Sequence, residues 1–373
     1  MVETSSAIIT DRLPEKRLYV VSGNKKQSED IKRLMMSFYN IDVFIDYSDA
    51  LKQIEVNRPA AVVVDDFVPP LGGEAFVGFL RNGDYGKKVP IVYAYSESTA
   101  GSVEKFPYQD SVIFLRKPCN AGELASSISS QVSSRIEGEW EEIEPVQKSA
   151  LKKTLQTFNT IATLIEEGSP VPYENIKSSC IPLIEAVKSG NFKDLLGAVK
   201  HHDNYSYVHS LRVATLLTLF GFNLGIKGDD LMTLSTGGLL HDVGKMQIPL
   251  LVLNKPGKLT VEEFTIMKGH VNATIDFLEK TSDLPKGVLL IAAQHHEKTD
   301  GSGYPHGLKG AGLNELARMA AITDVFGALT DRRVYKEPKT PEAAMKIMQS
   351  SPGHLDQHLL SLFQNILLGF AMV

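Results

Sequence analysis

LMTLSTGGLLHDVGK, residues 231–245, is the stretch on which the fold turns. An apolar helix ends in His241 and Asp242, and Val243, Gly244 and Lys245 follow at once. An imidazole and a carboxylate at the end of such a helix are costly to bury unless something pairs with them. The same pattern recurs outward from this point. His209 lies in YVHSLRVATLL, His270 in FTIMKGHVNATIDFL, His295 and His296 close VLLIAAQHH, and Asp324 falls in MAAITDVFGAL. Each run has apolar residues at helical spacing. A lone histidine on a helix face is ordinarily a satisfied core residue. Five separate helices each bringing an imidazole or carboxylate to an apolar face are different, because without a metal many buried lone pairs would go unpaired. Bundles that collect ligands from facing helices are an established way to build a two-metal site.

Adjacent helical residues point about 100° apart. His241 and Asp242 are therefore expected to face different metals, with the Asp242 carboxylate between them, and His295 and His296 to diverge likewise. Seven ligands exceed what one zinc accepts and suit two cations about 3.5–4 Å apart, which lower the pKa of bound water from 15.7 toward about 7. The resulting hydroxide is a nucleophile for phosphodiester hydrolysis. Lys245 lies one turn after His241, so its ammonium is expected to bind a phosphate oxygen and stabilise transition-state charge. Imidazole and carboxylate donors without thiolate suit Fe, Mn, Ni or Zn without deciding among them; Fe or Mn is expected.

The rest of the chain frames this site. A length of 373 residues implies two domains plus connecting helices. Hydrophobic residues at 43% and charged residues at 22% suit a globular protein. The net charge of −5 excludes general attraction to a nucleic acid polymer or an anionic membrane, so a phosphate ligand must be held by local cations. All ten histidines lie at or beyond position 201, which puts metal chemistry in the second half. Cys119 and Cys180 are too few for a disulfide framework. The N-terminus lacks the basic start and apolar run of a signal peptide, and no stretch nears about 18 uninterrupted apolar residues. These features predict a cytoplasmic protein.

The first half reads differently. Leu18–Ser22, Asp42–Asp46, Ala60–Asp65, Pro90–Tyr95 and Val112–Arg116 are short strand-like runs separated by amphipathic segments such as Gln27–Phe38 and Ala121–Ser134, the latter with Asn120 as N-cap. This predicts an α/β, doubly wound, five-stranded parallel sheet over residues 1–136. The acidic stretch EGEWEEIE (137–144) reads as a linker or exposed helix end, opening a helical linker over 137–200. An all-α domain follows over 201–373, with helical segments at 208–224, 229–240, 260–280, 285–296, 313–330 and 341–349.

HDVGK (241–245) together with HHEKTDGSGYP (295–305) resembles the HD-GYP family of cyclic di-GMP phosphodiesterases over roughly residues 200–365. The resemblance implies metal ligands at His209, His241, Asp242, His270, His295, His296 and Asp324, with Asp242 and Lys245 catalytic. It implies substrate contacts at Lys245, Arg333 and Lys336, with Gly303 and Tyr304 in the signature triplet beside the site, where the loop also meets protein partners. Tyr205 stands where some members carry a glutamate for a third metal, so two divalent ions are expected. The chain departs from the family at Gly327, in DVFGAL, and at Val334, beside Arg333. The implied reaction opens cyclic di-GMP to linear pGpG, continuing to GMP. A catalytically weak or inactive sensor of the dinucleotide, or an HD-type phosphohydrolase for another nucleotide, stays open.

The first half resembles a response-regulator receiver domain. Asp65 falls at the phosphoacceptor position, Pro69 and Gly73 keep register, and Lys117-Pro118 matches the receiver's lysine-proline. Ser22-Gly23-Asn24 replaces the acidic pair, and Tyr95 replaces the hydroxyl switch residue. One carboxylate plus a serine is a poor magnesium cage. The resemblance therefore implies a pseudo-receiver used for docking partners or forming a homodimer.

Overall fold

A computed structural model describes residues 17–36, 38–83, 86–255, 257–331 and 338–371. The chain divides into two compact units, Met1–Arg135 and Ile136–Val373. In the first, β1 (Arg17–Val21), β2 (Asn40–Phe44), β3 (Ala61–Asp65), β4 (Ile91–Tyr95) and β5 (Ile113–Arg116) form one parallel sheet in the order β2-β1-β3-β4-β5. The side-chain period of two along each strand builds a core on either face. Val62 and Val64 enter one core with Tyr19, Val21 and Phe76, while Ala61 and Val63 enter the other with Leu18, Val20 and Ile128. Helices Tyr47–Val56 and Gly73–Asn82 cover the first face; helices Lys25–Met35 and Ala121–Glu139 cover the second. A fully buried valine is worth about 1.5–3 kcal/mol, so a strand such as β3, buried along its whole length, is specified by its own residues. Asn120 caps its helix reciprocally with Glu123, with bonds of 2.9 and 3.0 Å.

The second unit is helical. Its main elements are Pro145–Glu167, Tyr173–Lys188, Phe192–Val199, Tyr205–Asn223, Gly228–Leu240, Val261–Leu278, Lys286–Gln294, Glu315–Thr330, Pro341–Gln349 and Gln357–Ala371. Helix Tyr205–Asn223 is buried nearly all round, as a helix at the centre of a bundle should be. Gly238 lets helix Gly228–Leu240 lie against it, since a Cβ there would sit 2.6 Å from Ala214 Cα.

Two features differ from the sequence reading. Residues 137–200, read as a helical linker, lie in the second unit, where Leu151, Phe158, Leu183 and Leu195 share a core with Leu211 and Leu239. The acidic stretch is tied down at its centre. Trp140 is 1% exposed, its indole N–H donates to Ala198 O at 3.0 Å, and its ring stacks on His202. Apolar burial of one tryptophan outweighs the pull of the flanking glutamates toward solvent. Helix Gln357–Ala371 is not among the segments expected from periodicity; it buries Leu359, Leu360 and Phe363. No described helix is long and apolar enough to cross a membrane.

Candidate metal centre

His209 projects from the middle of the bundle, on helix Tyr205–Asn223. His241 is the C-cap of helix Gly228–Leu240 and Asp242 is the next residue. His270 comes from helix Val261–Leu278, His295 caps helix Lys286–Gln294, and Asp324 comes from helix Glu315–Thr330. Five places along the chain thus deliver donors to one buried point. They form two overlapping groups, Asp242–His270–His295–His296 and His209–His241–Asp242–Asp324, with the ligand atoms of each group within 4.8 Å of one another. Asp242 belongs to both. One oxygen, Oδ1, lies 3.1 Å from His270 Nε2 and 3.6 Å from His295 Nε2; the other, Oδ2, lies 3.2 Å from His241 Nε2 and 3.6 Å from His209 Nε2.

The backbone aims these rings. His241 Nδ1 meets Gly238 O at 2.8 Å, His270 Nδ1 meets Met267 O at 2.6 Å, and His295 Nδ1 meets Ala292 O at 2.9 Å. A carbonyl only accepts, so each Nδ1 carries the proton and each Nε2 lone pair points inward. The Nε2 atoms of His241, His270 and His295, and Asp242 Oδ1, are buried without a hydrogen-bond partner. Four orphaned lone-pair atoms at one point are expensive in a bare protein and are what divalent cations need. The set therefore fits metal. The two carboxylates and two of the imidazoles have the charge states that metal binding needs. Burial alone would raise the Asp242 and Asp324 carboxyls, but Lys245 beside Asp242 and His209 beside Asp324 hold both well below the usual range. Burial pushes His241 and His296 down, keeping them neutral.

His295 and His296 do not diverge as the helical rule predicted; both enter the same group, with ring centroids 4.0 Å apart. The helix stops at Gln294, so the regular increment no longer applies beyond it. Lys245 reaches the cluster and pairs with Asp242. Gly303 and Tyr304 are also at the site. A Cβ on Gly303 would lie 2.4 Å from Lys298 N and 2.6 Å from His296 O, so only glycine lets this loop close onto the histidine pair. The Tyr304 ring then lies 4.7 Å from that of His296. Arg333, Lys336 and Val334 lie outside the described residues.

Sequence reasoning missed two carboxylates. Glu297, 2% exposed, accepts from the backbone N–H groups of His306 and Leu308 at 2.7 and 2.9 Å and so holds the loop. Asp331 accepts from His209 Nδ1 at 3.0 Å. Burial would lower His209, yet its bonds to Asp324 and Asp331 prevail and push it up to about 10. Asp331 follows Asp324 by two helical turns, a same-face signal that could have found it.

Gly327 also faces His209, but a Cβ there would sit 3.6 Å from the ring, an ordinary contact. Gly327→Ala is therefore expected to raise stability by about 1 kcal/mol through helix propensity. Thermal melts of the two proteins check this; a drop in stability would mean the ring needs that gap.

At the carboxyl ends of the strands in the first unit, Ser22 Oγ donates to Asp65 Oδ2 at 2.5 Å and Lys117 Nζ pairs with Asp65 and Asp66 at 2.5 and 2.6 Å. Ser96 and Thr99 hydroxyls are present, but both bind Asp66, at 2.6 Å. Asp65 is 2% exposed with both oxygens engaged. Incubation with acetyl phosphate and Mg²⁺ is expected to leave the intact mass unchanged. A phosphoryl adduct that disappears in Asp65→Asn would show the receptor chemistry to be alive.

A profile described as HD domain matches residues 196–359. A cyclic di-GMP phosphodiesterase of Pseudomonas aeruginosa is 36% identical over 165 residues, 44% of this chain and 40% of that protein. The cyclic di-GMP phosphodiesterase response regulator RpfG of Xanthomonas campestris is 29% identical over 317 residues, 84% of this chain and 76% of its own length. A 3'3'-cGAMP-specific phosphodiesterase of Vibrio cholerae is 36% identical over 171 residues, 45% of this chain and 33% of that protein. The chain thus spans less than half of the first and third relatives and about three quarters of the second. A helical core with a buried imidazole and carboxylate cluster able to bind metal defines the HD class of phosphohydrolases. Residues 196–359 match that class, and a receiver-like five-stranded parallel sheet precedes them in the chain.

Proposed function

We propose that this chain hydrolyses cyclic di-GMP to linear pGpG, and onward to GMP, at a binuclear centre held by His209, His241, Asp242, His270, His295, His296 and Asp324. The observation that carries the reading is the ring of orphaned Nε2 atoms around Asp242. Two donor groups sharing that carboxylate support two ions, and their nitrogen and oxygen chemistry accepts Fe, Mn, Ni or Zn, of which Fe or Mn is assigned here. Bound there, divalent ions supply Lewis acidity toward a phosphoryl oxygen and lower the pKa of water. The chain's own residues do the rest. Asp242 and Asp324 stay ionised and balance cation charge. Lys245, half-buried beside Asp242, offers its ammonium to a phosphate oxygen as charge grows in the transition state. Tyr304 closes the loop side against water, its hydroxyl kept neutral by burial. Arg333 and Lys336 are assigned the second phosphate. The receiver-like unit is assigned to docking or dimerisation, in the cytoplasm, where Cys119 and Cys180 stay free thiols.

The test is a product assay on full-length protein loaded anaerobically with Fe²⁺ or Mn²⁺. Linear product is expected with either metal. Binding without turnover would favour a sensor. A second reading has specific support: the Vibrio cholerae relative, 36% identical over the region it shares with this chain, is named for 3'3'-cGAMP. Competing the two cyclic dinucleotides in one assay decides between the substrates.

A further inference from the structure

The imidazoles of the metal centre proposed above are not supported alike. His241, His270 and His295 each set their Nδ1 against a backbone carbonyl of their own helix. His209 sets its Nδ1 against a carboxylate, Asp331, at 3.0 Å. Asp331 is itself placed by the helix end, where its N–H donates to Gly327 O at 2.7 Å. Its other oxygen, Oδ1, is 3.0 Å from Arg212 Nη1, and Arg212 Nη2 donates to Thr330 Oγ1 at 3.1 Å. The Asp331 side chain is 4% exposed and that of Arg212 26%, so solvent screens this triad only in part.

A neutral carbonyl orients a ring, whereas an anion also draws on the Nδ1 proton and raises electron density at Nε2. The donor groups already differ in charge. The group with His209 has two carboxylates and two imidazoles; the other has one carboxylate and three imidazoles. Asp331 adds to that difference in the same direction. Arg212 opposes it, since a guanidinium on the second oxygen withdraws charge from the carboxylate.

Resting on the binuclear metal reading, we propose that Asp331, tempered by Arg212, is a positioning residue that strengthens His209 as a ligand. It makes the His209–His241–Asp242–Asp324 group the tighter and harder of two unequal cation positions. The two members of the triad should then act in opposite senses. Asp331→Asn keeps the size and an acceptor but removes the charge. Arg212→Gln removes the opposing charge.

The test uses the full chain, stripped of metal by chelator and titrated with Co²⁺ alone under anaerobic conditions, with metal content and visible absorption as readouts. The wild type is expected to fill in two resolved steps. Asp331→Asn should weaken the tighter step by about 10–100-fold, the range for loss of an outer-shell partner, and leave the weaker step in place. Arg212→Gln should leave the tighter step as tight as before or tighter. Equal weakening of the tighter step in both variants would reduce the triad to packing and overturn the assignment, as would one unresolved step in the wild type or parallel loss of both steps in Asp331→Asn. No uptake by the wild type would overturn the metal reading itself.

Discussion

Asp242→Ala is expected to lose bound metal and to cut phosphodiesterase activity by at least about 10³-fold, the upper range for removing one preorganised electrostatic contact in a transition state. The geometry makes this the most sensitive position. Asp242 stands within 3.1–3.6 Å of four inward imidazole nitrogens and is the one residue common to both donor groups. Its loss removes a ligand from each. It also strands Lys245, whose side chain is 18% exposed and whose partner is this carboxylate. Breaking a buried ion pair by deleting one member costs about 3–5 kcal/mol, so the alanine variant should also melt lower. Asp242→Asn separates the effects, because it preserves volume while removing the charge. Metal content and product formation are the measurements; full metal occupancy in Asp242→Ala would falsify the shared role.

Gly244→Ala is expected to damage stability and site together. A Cβ at this position would lie 2.2 Å from His270 O, 2.6 Å from Thr274 N and 2.7 Å from Thr274 Oγ1. These are largely main-chain atoms of a helix, so no rotamer change relieves the clash. The Gly244 N–H also donates to Thr274 Oγ1 at 2.9 Å, a bond the clash would break. Overpacking of this kind costs about 1–3 kcal/mol, which for a domain of this size lowers Tm by about 2–4 °C per kcal/mol. Because the helix pushed away carries His270, metal affinity should fall in parallel. Gly269→Ala is the matched control, on the same helix beside His270 but with nothing within 4 Å of its Cβ. It should stabilise by about 1 kcal/mol. Equal melting temperatures for Gly244→Ala and wild type would contradict the close backbone approach.

The sheet was legible because β-branched runs such as AVVVD commit to strands in almost any context; each of the five is found within two residues of its expected place. The donor set was legible for a related reason, since imidazoles on apolar helix faces are costly to bury unless a cation or hydrogen-bond partner takes up their lone pairs. What stayed hidden depends on tertiary meetings. Glu297 and Asp331 are ordinary loop and helix-end acids until the fold brings backbone amides and His209 to them. Trp140 gives no local sign that Ala198 and His202 will receive it. The linker reading of 137–200 judged a segment by its charged flank, whereas its helices are decided by the shared core. His295 and His296 were misjudged because a periodicity was extended past the residue where the helix ends.

Three rings of the cluster take their aim from carbonyls three residues back on their own helices. For His241 and His295, each at the C-terminal end of its helix, ligand geometry is thus a by-product of the last turn, and unwinding that single turn would swing a donor away while the bundle core stayed intact. Heat or mild denaturant should therefore bleach the metal signal well before the protein unfolds, making cation release an early reporter of fraying.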